Sequence, residues 1–177
     1  MRICRISAKN FRTLECCDIS LPEYFTAVSG KNNAGKSNLL RVIRAFFVND
    51  DEFDPFAGEA QSISYKQDYP VWKKKDEQRQ DIELALEITI HRARDAGLFK
   101  YVQQWLSKDC QDEELHLTLG VRLSEASPQA PVYSLKYQTE EISDPFKVEE
   151  VHKKLKTSSS FLYHNSTQPR HRYFAGQ

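Results

Sequence analysis

The sequence lacks any long apolar stretch. Its longest uninterrupted apolar run covers residues 45–48, whereas a helix that spans a bilayer needs about 20 apolar residues. The first seven residues include two arginines, in a place where a secretory signal needs an apolar segment. The sequence is therefore expected to contain no membrane span and no secretory leader.

Cysteine is scarce, and its spacing is uninformative. The chain has four cysteines, with neither CxxC spacing nor a nearby pair of histidines: Cys4, Cys16, Cys17 and Cys110. This pattern argues against a zinc knuckle and against a disulfide framework. A reducing compartment, the cytoplasm, is the expected location of such a sequence.

Net charge is absent too, because 25 Lys and Arg residues balance 25 Asp and Glu residues. The balance is uneven along the chain. Residues 151–177 carry five basic residues and no acidic one, which leaves a charge of −5 on residues 1–150. Two interpretations of the basic end stay open: a surface for nucleic acid or another phosphate-rich partner, or a solvated helix face followed by a loop.

The residues that are present predict a globular α/β domain. Hydrophobic residues make up 40% of the chain and charged residues 28%, which is typical of a soluble domain with one core. Residues 3–7, 14–21 and 25–29 predict three short strands, with the first turn at residues 10–12. From Lys36 the apolar period becomes helical, and the predicted helix buries one broad face: Leu39, Leu40, Ile43, Phe46 and Phe47.

The middle of the chain predicts an antiparallel sheet. Residues 51–80 show no clean period and are predicted mainly as loop. Apolar and polar residues then alternate strictly at 82–91, 115–123 and 132–138, whereas strands of a parallel sheet are covered on both faces and show continuous apolar runs. A short helix at residues 98–106, a helix opened by Asp144 and Pro145, and one more strand at residues 158–163 complete the prediction.

One motif carries chemistry. Residues 30–37 spell GKNNAGKS, which matches the phosphate-loop pattern GxxxxGK(S/T) at every fixed position. A predicted strand precedes the motif and a predicted helix follows it, as the pattern requires. We therefore predict that this chain binds a nucleoside triphosphate together with Mg²⁺.

Each residue type in the motif has a physical role. Gly30 and Gly35 permit a tight turn and a close approach of the backbone, so that the amides of residues 33–37 point at phosphate oxygens. Asn33 suits the loop because asparagine tolerates a left-handed conformation. The helix that begins at Lys36 adds the positive end of its dipole. Lys36 is the predicted catalytic residue, with its ammonium on the β- and γ-phosphates, and the Ser37 hydroxyl is the predicted Mg²⁺ ligand.

Two segments together resemble a known group of proteins. Residues 3–14, ICRISAKNFRTL, and residues 30–40, GKNNAGKSNLL, are similar to the opening of the ABC-type ATPase heads of SMC, RecF and OLD (overcoming lysogenisation defect) proteins. The form GKNNAGKSNLLR looks most like the OLD family of ATP-powered nucleases and anti-phage defence proteins. The resemblance implies an α/β P-loop NTPase fold, with an ABC-type N-terminal lobe that contains an antiparallel β-subdomain.

The resemblance also implies ligands and site residues. ATP and Mg²⁺ are the implied cofactors. Arg12, in the Asn-Phe-Arg turn, corresponds to an arginine near the nucleotide in related heads, although it could equally be an exposed turn residue. The other implied nucleotide-binding residues follow the motif: Gly30, Asn32, Asn33, Ala34, Gly35, Lys36, Ser37 and the neighbouring Asn38.

Other family elements have no match in these 177 residues. Related heads bind ATP between the phosphate loop of one protomer and a signature segment of another, and they hydrolyse it with a carboxylate that ends a second apolar strand. The sequence contains no LSGGQ-like segment, no apolar run that ends in two acidic residues and no Toprim-like acidic cluster. No motif decides whether Gln168, Gln177 or neither is a glutamine-loop residue.

The sequence therefore predicts a partial ABC-type ATPase domain over residues 1–177. It comprises the strands, phosphate loop and first helix in residues 1–50, the β-subdomain in residues 80–140 and the basic segment in residues 144–177. We expect a cytoplasmic ATP-binding module of an OLD-like nuclease or defence protein, in which ATP-driven dimerisation controls a nucleic-acid-directed activity.

A second copy or a partner subunit would then supply the signature segment. The alternative is a RecF-like or SMC-like module for DNA repair or chromosome organisation, acting as an ATP-gated clamp on DNA. A GTPase-like switch is disfavoured, because no NKxD-type motif is present. In either favoured case, the chain alone is expected to bind ATP and to hydrolyse it slowly or not at all.

Overall fold

The structure, a computed structural model, describes residues 1–22, 27–31, 35–47, 63–75, 79–106 and 111–158. Within these ranges the strands are β1 (Arg2–Phe11), β2 (Leu14–Ser20), β3 (Ile82–His91), β4 (Glu114–Ser124), β5 (Ser127–Tyr137) and β6 (Glu140–Glu141). The α-helices are α1 (Lys36–Phe47), α2 (Tyr65–Asp68), α3 (Ala96–Leu106) and α4 (Pro145–Ser158), and a 3₁₀ helix covers Val71–Lys73.

The six strands form one antiparallel sheet. Their order is β2-β1-β3-β4-β5-β6, and every neighbouring pair is antiparallel. β3 and β4 lie at the centre and pair without a register shift from Ile82 opposite Leu123 to His91 opposite Glu114. The antiparallel sheet predicted from strict alternation is therefore confirmed.

One face of the sheet forms the core. The side chains at alternate positions of β3 are at most 2% exposed: Ile82, Leu84, Leu86, Ile88 and Ile90. The helices cover this face with their own buried side chains, including Val42 and Phe46 of α1, Phe99 and Val102 of α3, and Val151 and Leu155 of α4. Burial of this continuous apolar surface is the main force that stabilises the described fold.

The opposite face of the sheet carries charged residues. Arg5 donates to Asp18 across β1 and β2, with Nε 2.6 Å from Oδ1, and Lys9 lies 3.2 Å from Glu83 across β1 and β3. These pairs are exposed, and such pairs typically contribute little to stability. Their main effect is on the register of the neighbouring strands, because a one-residue slip would move the apolar side chains of a strand from the core to solvent.

The helices predicted from the sequence are confirmed, with small changes in their limits. α1 begins at Lys36, α3 covers the predicted short helix and α4 begins at Pro145 after an Asp144 cap. Asp144 Oδ1 accepts hydrogen bonds from the amides of Phe146 at 3.0 Å and Lys147 at 3.4 Å. α1 also buries Val42, which the predicted apolar face did not include.

Three predictions need correction or lie outside the described residues. Residues 27–29 of the third predicted strand are not in a strand, and Val28 is 46% exposed; a short apolar run becomes a strand only where a neighbouring strand pairs with it. Residues 63–75, predicted as loop, contain α2 and the 3₁₀ helix. Ser158 ends α4 rather than starting a strand, and residues 25, 26, 51–62 and 159–163 lie outside the description.

Candidate nucleotide-binding site

The phosphate-loop motif leads directly into the N-terminus of α1. Gly35 caps the helix: its carbonyl oxygen accepts the amide of Leu39 at 3.0 Å. Its φ of 87° lies in the left-handed region, and a Cβ atom here would approach Leu14 Cδ2 and Thr13 Oγ1 to 3.2 Å. Both the backbone conformation and the tight space therefore require glycine at this position.

The Lys36 side chain folds back onto the start of the phosphate loop. Its Nζ donates hydrogen bonds to the carbonyl oxygens of Gly30 and Lys31, each at 2.6 Å. Gly30 has a φ of 155°, which lets the chain turn so that both carbonyls reach the ammonium. The loop thus brings a positive charge and the start of a helix to the same place.

The N-terminus of α1 suits an anion. Residues 36–38 form its first turn, in which backbone amides have no partner within the helix, and this turn contains no acidic residue. Ser37 is exposed there. The helix amides and the ammonium can donate to phosphate oxygens. The exposed hydroxyl oxygen can ligate a hard cation such as Mg²⁺.

Asn38 contributes in a different way from the loop residues. Its Nδ2 donates to Thr13 Oγ1 at 2.6 Å, which ties α1 to the turn between β1 and β2. Its side-chain amide is therefore occupied by the protein, whereas its backbone amide belongs to the first turn of the helix. Three of the predicted contacts, Asn32, Asn33 and Ala34, lie outside the described residues.

Arg12 lies in the turn that Asn38 contacts. It has a φ of 51°, and its main-chain amide donates to the carbonyl oxygen of Asp68 at 2.6 Å. Its Nε donates to Asp68 Oδ1, also at 2.6 Å, while the Arg12 side chain stays 31% exposed. The residue is therefore an anchored, partly exposed arginine one position before Thr13, which lies against Gly35.

Asp68 is the residue that the sequence analysis missed. Its side chain is 0% exposed, and its Oδ1 also lies 3.3 Å from the Nε of Arg41 in α1. Nothing in its local sequence distinguishes it, since it falls in the stretch predicted as loop. A search for buried acids could not have found it without knowing that Arg12, 56 residues earlier, would pack on it.

The described residues contain no candidate metal site and no candidate membrane span. They contain no group of three His, Cys, Asp or Glu side chains arranged to hold a metal ion. None of the helices in the described ranges has the length and hydropathy needed to cross a bilayer. The phosphate loop, the β1–β2 turn and Asp68 are therefore the arrangement on which a functional assignment can rest.

The motif of residues 30–37 and the groups at the start of α1 are typical of the P-loop class of nucleotide-binding proteins. The model of the AAA ATPase domain family matches residues 1–173, nearly the whole chain, and the chain therefore belongs to that family. The mixed α/β architecture with an antiparallel sheet is consistent with this membership.

Two further comparisons gave more distant results or none. No curated protein matches the chain. Among solved structures, one described as "Structural biochemistry of ATP-driven dimerization and DNA stimulated activation of SMC ATPases" is similar, with a TM-score of 0.49 and 15% sequence identity. The alignment covers 86% of this chain and 80% of that one.

Proposed function

We propose that this chain is an ATP-binding module that takes Mg²⁺-ATP at the N-terminus of α1. Membership of the AAA ATPase domain family supports nucleotide use. The observation that carries the proposal is the position of Lys36, whose ammonium lies at the start of α1 within 2.6 Å of two loop carbonyl oxygens. A triphosphate would offer that ammonium stronger acceptors than the neutral carbonyls do.

The proposed roles follow from the donor set. Lys36 neutralises the β- and γ-phosphates, the amides of residues 33–37 donate to phosphate oxygens, and Ser37 ligates Mg²⁺. Mg²⁺ supplies further charge neutralisation when it is bound. Arg12 adds a partly exposed guanidinium group in the β1–β2 turn, one residue before the Thr13 that lies against Gly35, and Asn32, Asn33 and Ala34 complete the proposed loop.

Replacing Lys36 tests this assignment. Lys36→Ala removes the ammonium and is expected to weaken binding of a fluorescent ATP analogue at least 100-fold, because the charge-assisted contacts to two phosphates are lost. Binding is measured by fluorescence titration in the presence of Mg²⁺, with circular dichroism as the check on folding.

Lys100→Ala is the matched control, because Lys100 is an exposed lysine of another helix, α3. It removes the same charge from the chain and should leave the affinity for the analogue within about twofold of the original. If Lys36→Ala binds the analogue as tightly as this control, the assignment of the site is wrong.

The biological role is proposed at a finer level. The loop form GKNNAGKSNLLR supports an OLD-like module, cytoplasmic, in which ATP-driven dimerisation controls a nucleic-acid-directed activity of the assembly. The alternative is a RecF-like or SMC-like clamp for DNA repair or chromosome organisation. The full reading frame of the gene discriminates between them, since a C-terminal acidic Toprim cluster supports a nuclease and a long heptad insertion supports a clamp.

A further inference from the structure

We propose that Asp68 is a positioning residue for the nucleotide site, which fixes Arg12 and the start of α1 relative to each other. The inference rests on the proposed function, because it concerns the same site. It adds a residue that lies outside the phosphate-loop motif and belongs to a different helix, α2.

Asp68 joins three segments of the chain. Its Oδ1 accepts a hydrogen bond from Arg12 Nε at 2.6 Å and lies 3.3 Å from Arg41 Nε, and its Oδ2 accepts the amide of Ser64 at 3.0 Å. Its main-chain oxygen accepts the amide of Arg12 at 2.6 Å. The β1–β2 turn, α1 and α2 therefore meet at one carboxylate.

The burial of this carboxylate makes the arrangement rigid. The Asp68 side chain is 0% exposed, and Arg41 is only 18% exposed. A buried charge is tolerated only where opposite charges and hydrogen bonds surround it. Movement of either arginine away from Asp68 would leave that charge less well compensated, so the three segments are held to one arrangement.

That arrangement reaches the phosphate loop through one face of α1. Thr13, which follows Arg12, accepts a hydrogen bond from Asn38 and lies against Gly35. Arg41 lies three residues after Asn38 on the same face of α1. Positions 35 and 38 therefore contact the β1–β2 turn, and position 41 contacts Asp68, which holds that turn. A shift of the turn would consequently displace the N-terminus of α1, which carries Lys36 and Ser37.

The ion pair also limits how Arg12 can reach a ligand. The hydrogen bond to Asp68 is made by Nε, so it does not depend on the terminal nitrogens of the guanidinium. Arg12 and Arg41 share the single charge of the Asp68 carboxylate. Asp68 therefore holds Arg12 in place without cancelling its attraction for an anion.

Asp68→Asn distinguishes positioning from simple charge. If Asp68 influenced the nucleotide only through its negative charge, the substitution would remove a repulsion and tighten ATP binding. Positioning predicts the opposite result, a dissociation constant for Mg²⁺-ATP about tenfold higher. The measurement is a fluorescence titration of the full chain, performed well below the unfolding midpoint of each variant.

Asp95→Asn is the matched control for a general loss of stability. The Asp95 side chain accepts the amide of His91 through Oδ2 at 2.9 Å and pairs with the N-terminal ammonium through Oδ1, so its replacement should lower stability without changing nucleotide affinity. Arg41→Lys provides a second variant in case Asp68→Asn does not fold. It keeps the charge of residue 41, loses the Nε contact, and is expected to weaken binding about threefold.

The outcomes separate the two proposals. Unchanged or tighter binding by both Asp68→Asn and Arg41→Lys, with Lys36→Ala still inactive in binding, overturns the role of Asp68 and leaves the nucleotide site standing. Absence of ATP binding by the unsubstituted chain overturns the proposed function itself. Weaker binding by either variant, with Asp95→Asn unchanged, supports the positioning role.

Discussion

His152 is a buried histidine of α4 that packs against α1 and β5. Its Nε2 donates to the carbonyl oxygen of Ser134 at 3.1 Å, and its ring packs against Phe46 and Tyr133. Its Nδ1 is buried without a hydrogen-bond partner among the described residues. Burial lowers the pKa of His152, the Lys156 ammonium lowers it further, and the hydrogen bond to Ser134 acts in the opposite direction.

This histidine should make stability depend on pH in a defined window. Above the ordinary histidine pKa of about 6.5, both the folded and unfolded chains hold a neutral imidazole, and the group gives no pH dependence. As the pH falls below that value the unfolded chain binds the proton first, so the free energy of unfolding decreases, with a slope of at most about 1.4 kcal/mol per pH unit.

Urea unfolding between pH 8 and pH 5 measures this effect. His152→Phe keeps a ring beside Phe46 and Tyr133, and it should remove the His152 part of the slope while costing some stability at every pH. Asp18 and Asp95, whose pKa values are lowered by their partners, lose their contributions only below about pH 4. An identical slope for both proteins across pH 5–6.5 would contradict the prediction.

Single residues also show where sequence reasoning succeeds and where it fails. The left-handed turn at Gly35 and the helix start at Lys36 were predictable, because the motif that requires them lies within eight neighbouring residues. Asp68 was not, because its role depends on Arg12 and Arg41, which lie 56 and 27 residues away along the chain. The nucleotide-binding roles of all these residues, including Asn32, Asn33 and Ala34, stay predictions.

At the scale of elements, α4 shows how a short local pattern fixes a helix start. Asp144 Oδ1 accepts the amides of Phe146 and Lys147, and its main-chain oxygen accepts the amide of Val148 at 3.1 Å. Proline at the first helical position, Pro145, costs no hydrogen bond there. The helix then buries Val148, Val151, His152 and Leu155 against the sheet and α1.

Removing this cap should weaken the fold measurably. Asp144→Ala leaves first-turn amides of α4 without their side-chain acceptor, which is expected to lower the free energy of unfolding by about 1 kcal/mol. Asp144→Ser keeps a capping oxygen and should retain most of the stability. Glu149→Ala, an exposed site within the same helix, is the control; urea midpoints that do not distinguish Asp144→Ala from it would refute the cap.

Strand prediction succeeded where one face is buried and the other is solvated. β3 and β4 alternate over their full length, so the sequence predicted the limits of β3 and came within one residue of each end of β4. β5 begins five residues before its predicted start, at Ser127. The extra residues include Pro128 and Pro131, which suit a strand that pairs with only a two-residue partner, β6, on its outer side; their exposed pattern gave no alternation to detect.

At the scale of the whole molecule, the antiparallel sheet acts as a platform for the nucleotide site. β1 is an interior strand that pairs with both β2 and β3, and the turn that follows it carries Arg12 and Thr13. The core beneath α1 then fixes the helix whose first turn is the proposed phosphate site. Rigidity of the platform is what allows a short loop to hold an ammonium and helix amides in one place.

Under the proposed function, this organisation would supply the binding half of an ATPase reaction. Lys36, the helix amides and Mg²⁺ can neutralise the charge that develops on the transferred phosphoryl group. In-line attack additionally requires a group that orients the water. The sequence contains no apolar run that ends in paired acids that could do so, and Asp68, a buried acid beside the β1–β2 turn, is already paired with two arginines.

We therefore expect the purified 177-residue chain to bind ATP with a measurable dissociation constant and to release phosphate at least 100-fold more slowly than the roughly 1 s⁻¹ at the lower end of ordinary enzyme turnover. A coupled phosphate-release assay at saturating Mg²⁺-ATP, with Lys36→Ala as the blank for contaminating activity, measures the rate. Turnover near 1 s⁻¹ that disappears in Lys36→Ala would show that this chain holds its own water-orienting group.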